Sequence, residues 1–513
     1  MTQVFRAWSP RHNRELETEH VCASRSAVEE ACARAAQAAP AFARTGHARR
    51  AEFLARIAEE LGRDAAAILE CAGAETGLMP ARLEGELART RNQLLFLGGL
   101  VREGQHVDAR IDGADPERKP LPRPDVRSLL MPIGPVAVFG ASNFPLAFST
   151  AGGDTASALA VGCPVVVKAH PLHPGTSLLA AAAIERARAH CGMPDGVFGH
   201  LLSGGERAQA VGIELVQDPR IEAVAFTGSL RGGLALQQAI SARARPIPLF
   251  GELGALNPVF MLGGALQERA PALAAQLFAS LHGSAGQLCT RPGLVFLADY
   301  GSAREAVQSF CAALVQHAQA AATQPMLSPQ HRDQLRAQWS QRSRLPGVRV
   351  LRAESAGTHE IGPVLESCSL ATLLEQPALL EECFGPGTLL VRCSSETELL
   401  RAAVSCPGSL TATVQRAPAD EALARTLLAT LLPRAGRLIV DGVPTGVEVN
   451  SSMQHGGPFP ASTRADSTSV GGRAIQRWLR PVCFQNFPGE WLPEELQDAN
   501  PLSLRRTVNG KPG

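Results

Sequence analysis

Short apolar segments alternate with longer, mostly Ala-rich segments through the middle of this chain. The first four are GPVAVFG (134–140), CPVVVKAH (163–170), GVFGHLLSG (196–204) and AVAFTGS (223–229). Strands and helices in repeated succession predict a parallel sheet with helices on both faces. Because the crossovers in such a sheet are right-handed, we expect it to be doubly wound.

The same alternation begins again near Asn257 and continues to GRLIVD at 436–441. We therefore predict an α/β chain with two doubly wound parallel-sheet domains. The predicted boundaries are residues 1–114, with a helical N-terminal part, and 133–251 for the first domain, 252–445 for the second, and 499–513 for a polar, irregular C-terminal tail.

Composition excludes several classes of function. The chain of 513 residues has a net charge of +1 and 4% aromatic residues, so we expect no nucleic-acid partner. Gly162 and Pro164 interrupt the apolar stretch 145–167, which favours a buried helix and strand over a membrane span. The N-terminus lacks an apolar signal segment, and the 12 cysteines form no C-x-x-C pair. We expect a cytoplasmic protein with reduced thiols and no metal site.

The loops that follow the predicted strands are candidates for a nucleotide site, because ligands of open parallel sheets bind beyond the carboxyl ends of strands. The turn TGSLRGG offers Gly228 and Ser229 at the start of a helix, where backbone N–H groups can bind phosphate. Lys168 adds a positive charge at the end of its strand. The G-x-G-x-x-G pattern is absent, so ordinary turn glycines and a solvated lysine remain an alternative.

Cys289, in HGSAGQLCTRPGL, is a candidate nucleophile, although most cysteines of this kind are buried hydrophobic residues. Glu252, between two glycines at a strand end, is a candidate general base or a capping residue. Asn143 either caps a helix or donates a hydrogen bond to an oxyanion. These residues alone leave two enzymes open: one that uses a nucleotide cofactor, and a cofactor-independent thiol hydrolase.

Six motifs in order narrow this choice: SNFP, KAHP, FTGS, FGELGALNP, GQLC and EECFGP. Together they resemble the aldehyde dehydrogenase superfamily, from about residue 20 to about 488. The resemblance implies that Cys289 is the nucleophile, Glu252 the general base that activates water, and Asn143 the oxyanion donor. It also implies hydrolysis to a free acid, and a homodimer or homotetramer that assembles through an arm of residues 115–132 and 478–498.

The same resemblance implies that the first domain binds the cofactor and the second carries the catalytic residues. Lys168 matches the lysine that binds the adenosine ribose, and Gly228 and Ser229 match the phosphate turn. Glu382 and Phe384 match the pair that positions the nicotinamide ribose and ring.

Cofactor choice is predicted from the residues after Lys168. Members that prefer NAD often carry a glutamate three positions after this lysine, and here that residue is Pro171. Loss of the carboxylate removes repulsion of a 2′-phosphate, so we predict NADP, with NAD possible. His170, Thr176 and Arg207 are the further candidates for cofactor binding.

The segments KAHPLHPGTS, GVPTGVEV (442–449), HGGPFPAST (455–463) and LRPVCFQNFP (479–488) resemble one subgroup. It comprises the 2,5-dioxovalerate (α-ketoglutaric semialdehyde) dehydrogenases and lies near bacterial NADP-dependent fatty aldehyde dehydrogenases. The resemblance predicts oxidation of 2,5-dioxovalerate to 2-oxoglutarate, with medium- or long-chain aldehydes or other semialdehydes as alternatives. A substrate carboxylate calls for an arginine, and the candidates are Arg89 and Arg291.

Overall fold

The computed structural model describes residues 3–354, 359–444 and 446–512. A hairpin, four helices and two strands precede the first predicted strand: β1 (Val4–Ser9), β2 (Arg14–Val21), α1 (Arg25–Ala43), α2 (His47–Arg63), α3 (Ala65–Thr76), α4 (Pro80–Arg102), β3 (Arg110–Asp112) and β4 (Val126–Pro132). The sequence predicts the helices but not the hairpin, because β2 is mostly exposed and lacks the apolar alternation of a half-buried strand.

The first sheet has five parallel strands in the order β7-β6-β5-β8-β9. Its elements are β5 (Val136–Phe139), α5 (Gly153–Val161), β6 (Val165–Lys168), α6 (Pro174–His190), β7 (Phe198–Leu201), α7 (Arg207–Gln217), β8 (Ala223–Thr227), α8 (Leu230–Ser241) and β9 (Leu249–Glu252). The chain proceeds outward from β5 in one direction and from β8 in the other. The crevice beyond the carboxyl ends of these two strands is therefore the place where a ligand is expected.

The second sheet has seven strands in the order β13-β15-β16-β11-β10-β17-β18, and only β13 is antiparallel to its neighbour. This part of the chain contains β10 (Val259–Met261), α9 (Gly263–His282), β11 (Leu294–Ala298), α10 (Arg304–Ala320), β12 (Gln324–Pro325), α11 (Pro329–Arg342), β13 (Arg349–Arg352), β14 (Glu360–Ile361), β15 (Val364–Ser369), α12 (Leu370–Glu375), β16 (Gly387–Cys393), α13 (Glu396–Ser405), β17 (Ser409–Gln415), α14 (Glu421–Leu431) and β18 (Ala435–Val440). β15 was not predicted, because its buried segment VLESCS contains a glutamate and two serines.

A third, five-stranded sheet contains β19 (Leu479–Gln485), β20 (Thr507–Val508) and β21 (Lys511–Pro512). Its order is β19-β4-β3-β20-β21. The last residues of the chain, expected to be irregular, thus contribute two short strands. Their pairing depends on contacts with β3, almost 400 residues earlier in the chain, which no local pattern reveals.

Each of the two large sheets has its own buried core. The apolar stretch at 145–167 forms α5 and β6 inside the first core, and all nine residues of α5 are buried. Among the residues described, no helix is long and apolar enough to cross a membrane. The predicted α/β architecture with two mainly parallel sheets is confirmed.

Candidate active site

A cavity of about 360 Å³ opens at the carboxyl ends of β5, β8 and β9. Residues from both large domains line it, including Leu335 and Gln338 of α11. Seven of the residues predicted from the sequence lie on its wall: Asn143, Gly228, Ser229, Glu252, Cys289, Glu382 and Phe384. The fold therefore brings together loops that are far apart in the chain.

The loop that carries Cys289 follows an unusual turn. Ser284, Ala285 and Gly286 all have left-handed backbone conformations, with φ of 53°, 53° and 64°. A Cβ atom at position 286 would lie 2.3 Å from the carbonyl carbon of Gly385, so only glycine fits there. This contact joins the Cys289 loop to the loop that carries Glu382 and Phe384.

Asn257 fixes the far side of the Cys289 loop. Its Nδ2 donates hydrogen bonds to the carbonyl oxygens of Cys289 (2.8 Å) and Arg291 (3.0 Å). Its Oδ1 accepts from the backbone N–H of Thr411 in β17 (3.1 Å). Asn257 is fully buried and has a left-handed backbone, φ 48°. Asn257 was not among the residues predicted for the site.

The thiol of Cys289 lies against a histidine that the sequence analysis also missed. The Cys289 Sγ and His455 Nε2 atoms are 3.5 Å apart, and His455 Nε2 lies 2.8 Å from Glu252 Oε1. Glu252 Oε2 accepts a hydrogen bond from Ser469 Oγ (2.9 Å). Two unprotonated acceptor atoms would repel each other at 2.8 Å, so the contact needs a proton between Nε2 and Oε1, although Oε1 has no well-aligned hydrogen bond among the described residues.

The segment around His455 is attached to β9. Ser462 forms a β-bridge with Glu252, and Thr463 Oγ1 accepts from the backbone N–H of Gly251 (2.8 Å). The backbone N–H of His455 donates to Thr468 Oγ1 (2.8 Å). These contacts place His455 and Ser469 on one side of the Glu252 carboxylate. The motif HGGPFPAST contains His455, but nothing in its spacing points to Cys289, 166 residues earlier.

Burial controls the ionisation of this cluster. Desolvation, with added repulsion from Glu252 and Glu382, raises the pKa of Cys289 well above that of a free thiol. Burial alone would raise the pKa of Glu252, but the charge of His455 and hydrogen bonds from His455, Ser469 and Cys289 bring it below the usual value. The resting cluster is therefore a thiol beside a carboxylate, and the thiol must lose its proton before it can attack.

Asn143 lies beside the same cavity, in the loop after β5. Its Nδ2 donates to the carbonyl oxygen of Gln287, two residues before Cys289 (2.9 Å). The side chain is 9% exposed. An amide donor held this close to the nucleophile can serve an oxyanion if it exchanges its partner.

Lys168 lies in a second cavity of about 590 Å³. Apolar residues of β5, α7 and α8 form most of its wall, and Ser229 and Arg231 are shared with the first cavity. Burial lowers the pKa of Lys168 to about 8. Ser229 caps α8 through a hydrogen bond from the Gly232 N–H to its Oγ (3.2 Å). An apolar slot, a helix N-terminus and two cations suit an adenosine nucleotide and its phosphates.

Glu382 lies close to the glycine of the ELG motif. A Cβ atom at position 254 would be 2.5 Å from Glu382 Oε2, which explains why glycine stands there. Burial raises the pKa of Glu382 to about 7, although the positive charge of Arg291 opposes the shift. The carboxylate and the Phe384 ring border the cavity between the nucleotide turn and Cys289, so they can hold the ribose and ring of a nicotinamide cofactor.

The structure does not bring Arg291, a predicted substrate contact, to this cavity. Its side chain is 2% exposed, and Nη1 donates to the carbonyl oxygen of Gly387. Arg291 lies behind Glu382 and supports it electrostatically. Arg89, the other predicted contact, stacks on Phe148 at 5.0 Å, and its charge interacts with those of Cys289 and Glu252.

The three further cofactor candidates lie outside both cavities. Thr176 is buried and donates its hydroxyl to Glu75 (2.7 Å). Arg207 forms a two-pronged ion pair with Glu214, at 2.9 Å for each nitrogen. Burial and neighbouring cations lower the pKa of His170 well below its usual value, so this ring is neutral. The geometry gives these three side chains other partners or no charge, and their predicted roles remain untested.

Glu252, Cys289 and His455 each present one ligand atom, and these atoms lie within 4.8 Å of one another. A thiolate, an imidazole and a carboxylate form a donor set that suits a thiophilic cation such as Zn²⁺. The hydrogen bonds among the three residues explain their spacing without a metal, and the sequence prediction of no metal site stays a prediction.

Comparison with known proteins agrees with this geometry. The family model described as "Aldehyde dehydrogenase family" matches residues 2–458. Alpha-ketoglutaric semialdehyde dehydrogenase 2 of Azospirillum brasilense is 47% identical over 95% of this chain and 92% of its own length. The alpha-ketoglutaric semialdehyde dehydrogenase of Acinetobacter baylyi is 42% identical over 94% of this chain and 91% of its own.

Solved structures share the fold at low sequence identity. A salicylaldehyde dehydrogenase from Pseudomonas putida G7 has a TM-score of 0.80 at 19% identity and covers 96% of both chains. A betaine aldehyde dehydrogenase from Staphylococcus aureus, solved in complex with NAD⁺, has a TM-score of 0.80 at 17% identity, over 96% of this chain and 94% of its own. This chain belongs to the aldehyde dehydrogenase family and is an NAD(P)-dependent oxidoreductase that acts on aldehydes.

Proposed function

We propose that this enzyme oxidises 2,5-dioxovalerate to 2-oxoglutarate with NADP. The observation that carries the chemistry is the contact of Cys289 with Glu252 and His455 in a cavity that also contains the Gly228–Ser229 turn. The substrate is supported by the two relatives named alpha-ketoglutaric semialdehyde dehydrogenases, at 47% and 42% identity over nearly the whole chain.

The reaction begins when Cys289 loses its proton to Glu252. His455 Nε2–H lies between the carboxylate and the sulfur, so it can turn from Glu252 to the new thiolate and stabilise it. The thiolate then attacks the aldehyde carbon. Asn143 exchanges the carbonyl of Gln287 for the oxyanion of the tetrahedral adduct.

Collapse of the adduct leaves a thioester on Cys289. A nicotinamide cofactor, when bound, would supply the hydride acceptor. Glu382 and Phe384 would hold its ribose and ring near the nucleophile, and the contact of Gly286 with Gly385 keeps the two loops in register. Glu252 next releases the thiol proton to solvent and becomes a carboxylate again. Hydrolysis follows, in which Glu252 takes a proton from the attacking water and Ser469 and His455 hold the carboxylate in place.

NADP is supported by the charges around Lys168. The cavity beside this residue contains two cations, Lys168 and Arg231, and none of the described residues on its wall is acidic. A 2′-phosphate therefore meets attraction without a carboxylate that would repel it. Arg231 is a phosphate candidate that the sequence analysis did not select, and replacing it with methionine should weaken NADP more than NAD.

The domain boundaries at 114/115, 132/133, 251/252 and 445/446 remain part of this proposal, with the first domain binding the cofactor and the second supplying Cys289. The sheet that contains β4 and β19 is the proposed arm of a homodimer or homotetramer. Sedimentation analysis of the full chain distinguishes a monomer from these assemblies.

One observation also supports the alternative of a thiol hydrolase. A cysteine, a histidine and a carboxylate in contact can catalyse acyl transfer. A panel of 2,5-dioxovalerate, succinic semialdehyde and medium-chain aldehydes, each tested with NADP and with NAD, separates the functions. We expect absorbance of reduced cofactor and the highest kcat/KM for 2,5-dioxovalerate with NADP. A higher kcat/KM for a medium-chain aldehyde would overturn the substrate, and acid formation without cofactor reduction would favour the hydrolase.

A further inference from the structure

Arg437 lies close to the nucleophile but has no part in the reaction described above. It is a residue of β18, in register with Thr411 of the neighbouring strand β17. Thr411 donates to Asn257, which in turn holds the carbonyl oxygen of Cys289. Arg437 therefore belongs to the edge of the second sheet that supports the Cys289 loop.

The guanidinium group of Arg437 is poorly satisfied. Its Nε and Nη2 atoms are buried and have no hydrogen-bond partner among the described residues. In the described part of the chain, its Nη1 contacts a weak acceptor alone, Met453 Sδ, at 3.8 Å. Burial lowers the pKa of Arg437, and the negative charge of Cys289 raises it, so the two groups are near enough to interact. A buried cation without an anion is unfavourable, which points to a missing anionic partner.

Arg89, in the first domain, also has an unused hydrogen-bond donor. Its Nη2 is also buried without a partner in the described part of the chain, while Nε donates to the carbonyl oxygen of Val447 (3.1 Å). The charges of Cys289 and Glu252 both interact with it.

Both arginines border one apolar cluster. Arg89 stacks on Phe148 and bonds Val447, and Arg437 contacts Met453. These three partners pack together in the same cluster, and the Phe148 ring lies 6.0 Å from that of His455. The cluster thus links both arginines to the reaction centre.

We propose that Arg437, together with Arg89, binds the carboxylate at the far end of a semialdehyde substrate. An apolar wall excludes water, and two guanidinium groups with unused N–H donors recognise the anion by charge-assisted hydrogen bonds. This inference rests on the proposed function. It names Arg437 and Arg89 as the residues that determine the specificity of the enzyme for its substrate. It replaces Arg291, which does not line the cavity of Cys289 and whose Nη1 donates to the carbonyl oxygen of Gly387, as the partner of Arg89.

The test compares anionic and uncharged aldehydes of the same length in Arg437→Met. We expect kcat/KM for 2,5-dioxovalerate to fall roughly 100-fold, mainly through KM, because one partner of a buried charge pair is lost. Pentanal, which has no carboxylate, should change less than about threefold, since nothing in its binding needs the cation. Equal losses for both aldehydes, or no loss for either, would overturn the assignment.

Two further variants and a product-inhibition measurement keep the test decisive. Arg437→Lys should retain part of the preference, and Arg434→Met, at a part-buried arginine that donates to the carbonyl of Cys406, is the matched control. Inhibition of pentanal oxidation by 2-oxoglutarate measures the anion site directly. We expect its inhibition constant to rise in Arg437→Met but not in Arg434→Met.

The wild-type protein separates the two proposals. A wild type that oxidises pentanal in preference to 2,5-dioxovalerate, yet is inhibited by 2-oxoglutarate through Arg437, would refute the substrate and keep the anion site. A wild type that prefers 2,5-dioxovalerate, with an inhibition constant unchanged in Arg437→Met, would refute the site and keep the substrate.

Discussion

The cavity beside Lys168 and the cluster around Cys289 lie close together, but their residues come from very different distances along the chain. Lys168 is the last residue of β6, and Ser229 and Arg231 lie at the start of α8, just after β8 of the same sheet, so short stretches of sequence place all three. Cys289, Glu252 and His455 belong to three separate segments and meet only when both domains are folded. Because of this difference, we predict that some substitutions abolish the reaction and leave nucleotide binding unchanged.

The largest separation is expected for Cys289→Ala. This change removes the only sulfur in the cluster, so aldehyde oxidation should fall by at least about 10⁴-fold. The affinity for NADP, measured by quenching of tryptophan fluorescence, should stay within about twofold because no contact near Lys168 changes. A loss of NADP affinity as large as the loss of activity would show that the two regions are energetically coupled.

His455→Ala is expected to have the next largest effect. It leaves the thiolate without the Nε2–H donor, so kcat should fall by about 10²- to 10³-fold. Alkylation of Cys289 by iodoacetamide should slow as well, which reports the thiol directly. His455→Gln keeps an N–H donor and should recover part of the loss. If alanine and glutamine lose activity equally, the role of the donor is disproved.

Glu252→Gln should affect hydrolysis more than oxidation. Solvent can still take the thiol proton, but the attacking water loses its base, so the steady-state rate should fall about 100-fold. Rapid mixing should then reveal a burst of reduced cofactor followed by slow turnover. A normal steady-state rate with a burst of unchanged size would contradict the assignment of the base.

The smallest effect is a pH dependence confined to the nucleotide region. The pKa of Lys168 is lowered to about 8, so its charge is present below this pH and is lost above it. A 2′-phosphate needs that charge, and the dissociation constant of NADP should therefore rise up to about tenfold per pH unit above 8. Lys168→Arg, which stays protonated, should give a flat profile. An equal rise for NAD would show that the 2′-phosphate does not contact Lys168.

The sequence predicted what is local in this molecule. Apolar runs such as CPVVVKAH contain the strand, and the polar residue at its end enters the cavity because parallel strands end at one edge. Ordered motifs predicted Cys289, Glu252 and Asn143, and the structure places all three on one cavity wall. Their roles remain predictions that the variants above test.

Residues whose position depends on contacts with parts of the chain far away in sequence were not predicted. His455 depends on Thr468 and on the attachment of its segment to β9, and Arg437 depends on the register of two strands. Arg291 follows the nucleophile directly, which suggested a substrate contact, but its side chain turns inward to the Gly387 carbonyl. Proximity along the chain does not fix the direction of a side chain in a loop.

The contact of Gly286 with Gly385 has a consequence for redesign. No side chain separates the two backbones there, so neither loop can be lengthened, shifted or exchanged without displacing the other. We expect that a chimera that takes its nucleophile loop from a relative must take residues 382–386 from the same relative, or its tetrahedral adduct will form out of alignment with the hydride acceptor. Selection for a new aldehyde would accordingly leave this pair of loops unchanged and alter Arg89 and Arg437, which border the apolar cluster beside His455.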